Sequence, residues 1–366
     1  MNASSSADLN RRITVTKTAK KIVSAMRLVS AARIKRTLDA TFDARPFHVQ
    51  LIATLRTVVH RVQTSSDWSE KDLRLLDGVL DPALIYSPKL VLGTPRERLR
   101  RKTLPDGADA SRTSTLLIVV GGSRGLCGPF NKRLLAFAAQ RLDLLVNDGG
   151  AVKVALVGAK AERYFSRHHA GIEQVFVESK MTLRNAASVA SALGELCSAA
   201  IGAREVSRVE LVSVDFKSLV SFQPTTRTLL PLTPTGIEDG ADKMLLELVV
   251  QPEGFGTRER FQTHGGRTVL APAVPLDRPS LIFEQSPTYV LLAMLPLYLS
   301  STLFLALLET LSSETSARLL AMKQAQDNAT DMVHDLSLER NKLRQAYITT
   351  ELMDISASVN SMEGLF

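Results

Sequence analysis

Apolar positions near the N-terminus recur at spacings of four and three: Val15, Ala19, Ile22, Met26 and Val29 within residues 8–60. That alternation predicts a helix with one seam against a partner helix. Pro46 is predicted to kink or interrupt it. At the other end, Leu297 to Glu363 holds neither proline nor glycine. Met322, Ala325, Ala329, Met332 and Leu336 keep the same alternation, which resumes as Ile348, Leu352, Ile355, Val359, Met362 and Phe366. At ~1.5 Å per residue this predicts a rod on the order of 100 Å. Such a helix cannot be buried on one compact domain, and the N-terminal segment is its natural partner.

The middle of the chain has another period. "LLIVV", "VKVALVG" and "VELVSVDF" are short apolar runs separated by helical sequence, which predicts a small α/β domain over 114–220. Residues 64–113 are polar, with the basic run "RERLRRK", and read as an inserted segment. Residues 221–285 hold most of the remaining proline and glycine, and a hairpin joining "MLLELVV" to "RERFQT" is expected there. The predicted organisation is therefore 1–63, 64–113, 114–220, 221–285 and 286–366.

Residues 289–308 are about as long and apolar as a membrane span. Pro296 near the middle, the polar Ser300, Ser301 and Thr302, and the lack of a basic flank argue instead for a helix packed on protein.

Composition narrows the chemistry. Aromatic residues make up 5% of the 366 residues, which suits long helices better than an aromatic nucleic-acid platform. The net charge of +8 favours an acidic partner surface, a nucleic acid or an anionic membrane. Much of it lies on the N-terminal helix, at Arg11, Arg12, Lys17, Lys20, Lys21, Arg27, Arg33, Lys35 and Arg36. Cys127 and Cys197 form neither a disulfide framework nor a metal cluster. The first residues contain no apolar core of a secretory signal.

One stretch invites an enzyme reading. "VVGGSRGLCGPFNK" joins a strand to a helix through glycines, as nucleotide-binding turns do. Cys127 stands where the last cofactor glycine would fall, no Walker lysine follows, and none of the five tyrosines has a lysine four residues on. A structural turn is expected, with a buried thiol at Cys127. Three readings follow: a non-catalytic protein built on a coiled coil of its two ends, a reductase using residues 121–128, and a basic coiled coil on nucleic acid.

"KKIVSAMRLVSAARIKR" at 20–36, "GSRGLCGPFNK" at 122–132, "SARLLAMKQAQDNATDM" at 316–332 and "NKLRQAYITTELMDI" at 341–355 together decide among them. In this order they resemble the gamma subunit, the central-stalk rotor, of F-type ATP synthases. The resemblance spans most of the chain apart from 64–113 and 235–275. It implies an antiparallel coiled coil of the two terminal helices plus a small Rossmann-like α/β domain. It further implies a non-catalytic rotor within an alternating hexamer of alpha and beta subunits, with the epsilon subunit and the membrane c-ring as further partners. No cofactor, metal or nucleic acid is implied.

Residue by residue, the resemblance assigns beta-subunit contacts to Met26, Arg318, Arg344, Gln345, Thr349 and Glu351, with Arg344 and Gln345 gripping an acidic loop. It assigns membrane-ring contacts to Leu281, Phe283 and Glu284. Leu305 stands where many relatives carry arginine. "TRTLLPLTPTG" and the segment after it look like the photosynthetic branch, which implies a chloroplast thylakoid membrane, stromal side, or else a cyanobacterial thylakoid or mitochondrial inner membrane. "GIEDGADKM" lacks the cysteines of the chloroplast regulatory dithiol, so thiol control is expected to be absent.

Overall fold

The computed structural model describes residues 3–64, 76, 79–80, 114–203, 205–232 and 284–363. The chain divides into two compact units. One comprises Met1–Ile34, Leu126–Gly128 and Thr315–Phe366, the other Lys35–Gly125 and Pro129–Glu314.

The first unit is built from the start of helix α1 (Ala3–Thr64) and the end of the last helix, α5 (Pro287–Glu363). Leu9 and Ile13 pack on Leu336, and the Thr16 hydroxyl lies 3.8 Å from the Met332 sulfur. The partner number falls as the α1 number rises, so the pair is antiparallel. On α1 the covered or half-covered positions of this unit are Leu9, Ile13, Thr16, Lys20, Val23, Ser24, Arg27, Ser30 and Ile34. This corrects the predicted seam: the stripe Val15, Ala19, Ile22, Met26 and Val29 is exposed, one residue out of register. Both stripes share one period, so spacing alone could not separate them, and here the apolar one is not the one that the pair covers. On α5, Met322, Ala325, Ala329 and Leu336 are covered as expected, while Met332 is half-exposed. Residues 342–358 are exposed throughout, including Ile348, Leu352 and Ile355, so these three form no seam within the chain.

In the second unit a five-stranded sheet has the order β3-β2-β1-β4-β5. Its strands are β1 (Thr115–Val120), β2 (Val152–Val157), β3 (Glu173–Glu178), β4 (Arg208–Phe216) and β5 (Phe222–Leu230). β1 to β4 are parallel and β5 is antiparallel to β4. Central β1 is buried on both faces, which is why it reads as an unbroken apolar run. The crossover helices are α2 (Phe130–Asn147), α3 (Ala159–His168) and α4 (Ala186–Gly202). Leu134, Ala138, Leu142 and Leu145 of α2 lie on one buried stripe, and Val189, Leu193 and Cys197 on that of α4.

β3 and β5 were not expected. Both are edge strands, and β5 carries Pro224, which an edge tolerates because one side of its backbone needs no ladder partner. The α/β domain thus continues past 220. Leu76, Val79 and Leu80 of the 64–113 segment are buried, and Leu80 bridges Leu232. The rest of that segment, with the basic run, and the expected hairpin lie outside the described residues.

The same core takes Leu55, Val58 and Val62 of α1 and Leu291, Leu299, Leu303 and Leu307 of α5. An 18-residue window of α5 is long and apolar enough to cross a membrane, yet half of it is buried against protein. Pro46 lies inside α1 without breaking it. Contacts on both sides hold the helix there: Thr41 Oγ1 lies 2.9 Å from Ser312 Oγ, Arg45 pairs with Glu309, and His48 Nδ1 lies 3.2 Å from Ser301 Oγ. Together they outweigh the hydrogen bond that proline cannot donate.

Candidate functional site

The glycine turn after β1 is packed with the chain's own atoms. A Cβ on Gly121 would lie 2.7 Å from Ala161 Cβ, and one on Gly122 would lie 2.2 Å from Asn131 Oδ1. Gly158 faces the turn at φ +97°, and a Cβ there would stand 2.4 Å from the Gly121 carbonyl oxygen. The glycines therefore admit neighbouring protein rather than a phosphate. The anion cradle nonetheless exists. The Ser123 and Arg124 N–H groups donate to Glu314 Oε2 and Oε1 at 3.1 and 3.2 Å, so a carboxylate from α5 fills the place of a ligand. The Ser123 hydroxyl accepts from the Met181 N–H at 2.8 Å. Cys127 is buried, as expected. Leu126 beside it has φ +62° and an exposed side chain.

Five residues before Glu314, a second carboxylate anchors α5. Arg45 donates to Glu309 Oε1 through Nε at 3.1 Å and Nη2 at 2.7 Å, and its Nη2 also reaches the Phe216 carbonyl at 2.9 Å. Arg227 of β5 lies 3.9 Å from Glu309 Oε2 and pairs with Asp215 of β4. Burial pushes the Glu309 carboxyl up, against the pull of Arg227 and Arg45. His48 is held neutral, its pKa lowered to about 4 by burial and then by Arg227. The run 309–314 is buried except for half-covered Leu311, although most of it is polar. Hydropathy could not have found this region, and only the charges at 309 and 314 in an otherwise uncharged stretch could have signalled it.

The residues singled out as beta-subunit contacts lie on helices. Met26 is exposed on α1, on the apolar stripe that the terminal pair leaves uncovered. Arg318 is half-buried on α5. Arg344, Gln345, Thr349 and Glu351 are exposed within 342–358, and the Thr349 hydroxyl donates back to the Gln345 carbonyl at 2.9 Å. Glu284 is exposed, while Leu281, Phe283 and "GIEDGADKM" lie outside the described residues. Sequence reasoning took Ile348, Leu352 and Ile355 for a seam; they are instead exposed near Arg344 in the sequence, and it overlooked Tyr347 and Met353 in the same exposed company.

Among the described residues no group of three or more His, Cys, Asp or Glu side chains could hold a metal. Burial pushes the Cys197 thiol up to about 12, which keeps it protonated and unreactive.

Among the described residues, then, the glycine turn is closed by the chain's own carboxylate, and the end of α5 is an exposed helix surface. Comparison with known proteins gives the family. The ATP synthase family model matches residues 5–362. The ATP synthase gamma chain of Synechococcus sp. (strain JA-3-3Ab) is 34% identical over 351 residues, covering 96% of this chain and 97% of that one. That of Synechococcus elongatus is 36% identical over 355 residues, with the same coverage. Among solved structures, a chain of the Euglena gracilis mitochondrial ATP synthase (OSCP/F1/c-ring, rotational state 3) aligns with a TM-score of 0.55 at 16% identity, covering 99% of this chain and 95% of that one. A chain of the same organism's rotor in rotational state 1 aligns at 0.52 and 15%, covering 95% and 100%. This chain belongs to the ATP synthase family, among its gamma chains.

Proposed function

We propose that this chain is the central rotor shaft of an F-type ATP synthase, coupling proton-driven rotation of the membrane c-ring to the conformational cycle of the catalytic beta subunits. The chain itself carries out no chemistry. One observation supports this most strongly: residues 342–358 present an apolar and charged helix surface that nothing described in the chain covers. An exposed helical patch of this kind marks a contact with another protein. The surrounding hexamer of alpha and beta subunits is that protein. Arg344 and Gln345 grip an acidic loop of a beta subunit, with Thr349, Glu351, Met26 and Arg318 as further beta-subunit contacts. Weak contacts of exposed polar groups suit a shaft that must leave each angle it visits.

Leu281, Phe283 and Glu284 meet the c-ring, and the epsilon subunit is a further partner. The complex stands at the thylakoid membrane, on the stromal side in a chloroplast, a placement supported by the cyanobacterial origin of the relatives above. Affinity purification of the tagged full chain from gently solubilised membranes tests the assignment. The expected result is recovery of the alpha, beta and epsilon subunits with the c-ring, and ATPase activity in the eluate. Recovery of the chain alone, or with nucleic acid, overturns it.

A further inference from the structure

Beyond its apolar start α5 stays largely buried through the mostly polar run Glu309 to Glu314. The side chains named here reach α1, β4, β5 and the turn after β1. Glu309 meets Arg45 of α1 and, more distantly, Arg227 of β5. Thr310 Oγ1 accepts from the Val214 N–H of β4 at 3.3 Å. Ser312 meets Thr41 of α1, and Glu314 takes the two N–H groups of the turn after β1. Asp215 supports the arrangement by holding Arg227 and accepting from Thr225 Oγ1 at 3.2 Å. A collar of directional contacts thus surrounds one level of the helix.

Stability does not explain such a collar, because replacing a buried ion pair by well-packed apolar side chains is often neutral or favourable. Register does. A helix in an apolar groove can shift by one residue, about 100° and ~1.5 Å, and still present apolar surface to apolar surface. The same shift here would leave a carboxylate and two guanidiniums buried and mismatched, which is severely unfavourable.

We infer that the Glu309–Arg45–Arg227 collar is the torque joint of the subunit: its charges fix the rotational register of α5 against the α/β domain rather than adding stability. Glu309 is thereby a positioning residue for energy coupling. The inference rests on the rotor reading and deepens it.

The test uses the complete complex in sealed proteoliposomes and measures protons pumped per ATP hydrolysed as the opposing proton gradient rises. The main variant replaces the collar with apolar groups: Arg45→Met, Glu309→Met and Arg227→Leu together. A control, Arg141→Met with Glu210→Leu, removes the buried ion pair between α2 and β4, where Arg141 Nη2 lies 2.7 Å from Glu210 Oε1. The collar variant is expected to assemble with an unchanged melting temperature and to hydrolyse ATP. Its pumping ratio should match wild type without load and fall several-fold against a steep gradient. The control should keep the wild-type ratio at every load. A wild-type ratio under load in the collar variant overturns the inference. If that variant does not assemble, Glu309→Gln decides, since it keeps the shape and loses the charge: a load-dependent fall supports the collar and an unchanged ratio overturns it. A wild-type complex that pumps no protons with ATP would instead refute the rotor reading.

Discussion

Ser123 and Glu314 lie 191 positions apart in sequence, yet the backbone N–H of one donates to the carboxylate of the other at 3.1 Å. A loop with the look of a nucleotide cradle is thus a socket for the protein's own helix. Glu314→Ala removes the acceptor shared with the Arg124 N–H and leaves two part-buried donors short of it. Destabilisation of about 2 kcal/mol is expected, and about half that for Glu314→Gln, measured by urea unfolding of the full chain. Titration with nicotinamide nucleotides or ATP should show no binding at this turn in either form.

Gly158 is the second support of the same turn. Alanine there would require φ +97° and place Cβ 2.4 Å from a backbone carbonyl oxygen that cannot move aside. Gly158→Ala should therefore lower stability by about 3 kcal/mol, detectable as a drop in soluble yield and in urea midpoint. Gly171→Ala, with nothing near its Cβ, should do neither.

The turn also shows where sequence reading succeeds and where it stops. The two long helices, the apolar strands β1, β2 and β4, and the structural nature of the turn were legible because each is a local pattern. β3 and β5 escaped because edge strands are half-exposed and lack an apolar run. The seam of α1 was misplaced by one position for a deeper reason. Thr16, Lys20, Arg27 and Ser30 are covered or half-covered while Val15, Ile22, Met26 and Val29 are exposed. A helix that serves two partners carries two stripes, and hydropathy marks the more apolar without saying which partner it meets. The Glu309 collar was invisible for a similar reason, since its partners come from α1, β4 and β5 and meet only in the fold.

His48 sets a pH dependence. Its pKa is about 4 in the folded chain against 6.5 when exposed, so the unfolded chain binds the extra proton between these values. Stability from the buried neutral ring is complete above pH 6.5 and is lost as pH falls toward 4, on the order of 3 kcal/mol in all. His48→Gln should flatten that part of the profile when melting temperature is followed from pH 7 to pH 4.5.

The exposed surface of α5 should separate fold from assembly. Arg344→Ala with Gln345→Ala, and separately Ile348→Asp with Leu352→Asp, change side chains that the chain itself leaves in solvent. Unfolding free energy should move by less than about 0.5 kcal/mol in the first pair, as exposed substitutions do. Coupled ATP synthesis by membranes carrying either pair should fall at least several-fold, with the aspartates also reducing the amount of chain recovered with the hexamer.

The shaft assignment is tested most directly by watching the shaft turn. A bead or gold particle is attached through a cysteine introduced at exposed Phe176 of β3, with the alpha–beta hexamer fixed to a surface and ATP supplied. Sustained rotation in one direction, at a rate that follows ATP concentration, is the predicted result. A particle that stays still while the same assembled complexes hydrolyse ATP would contradict it.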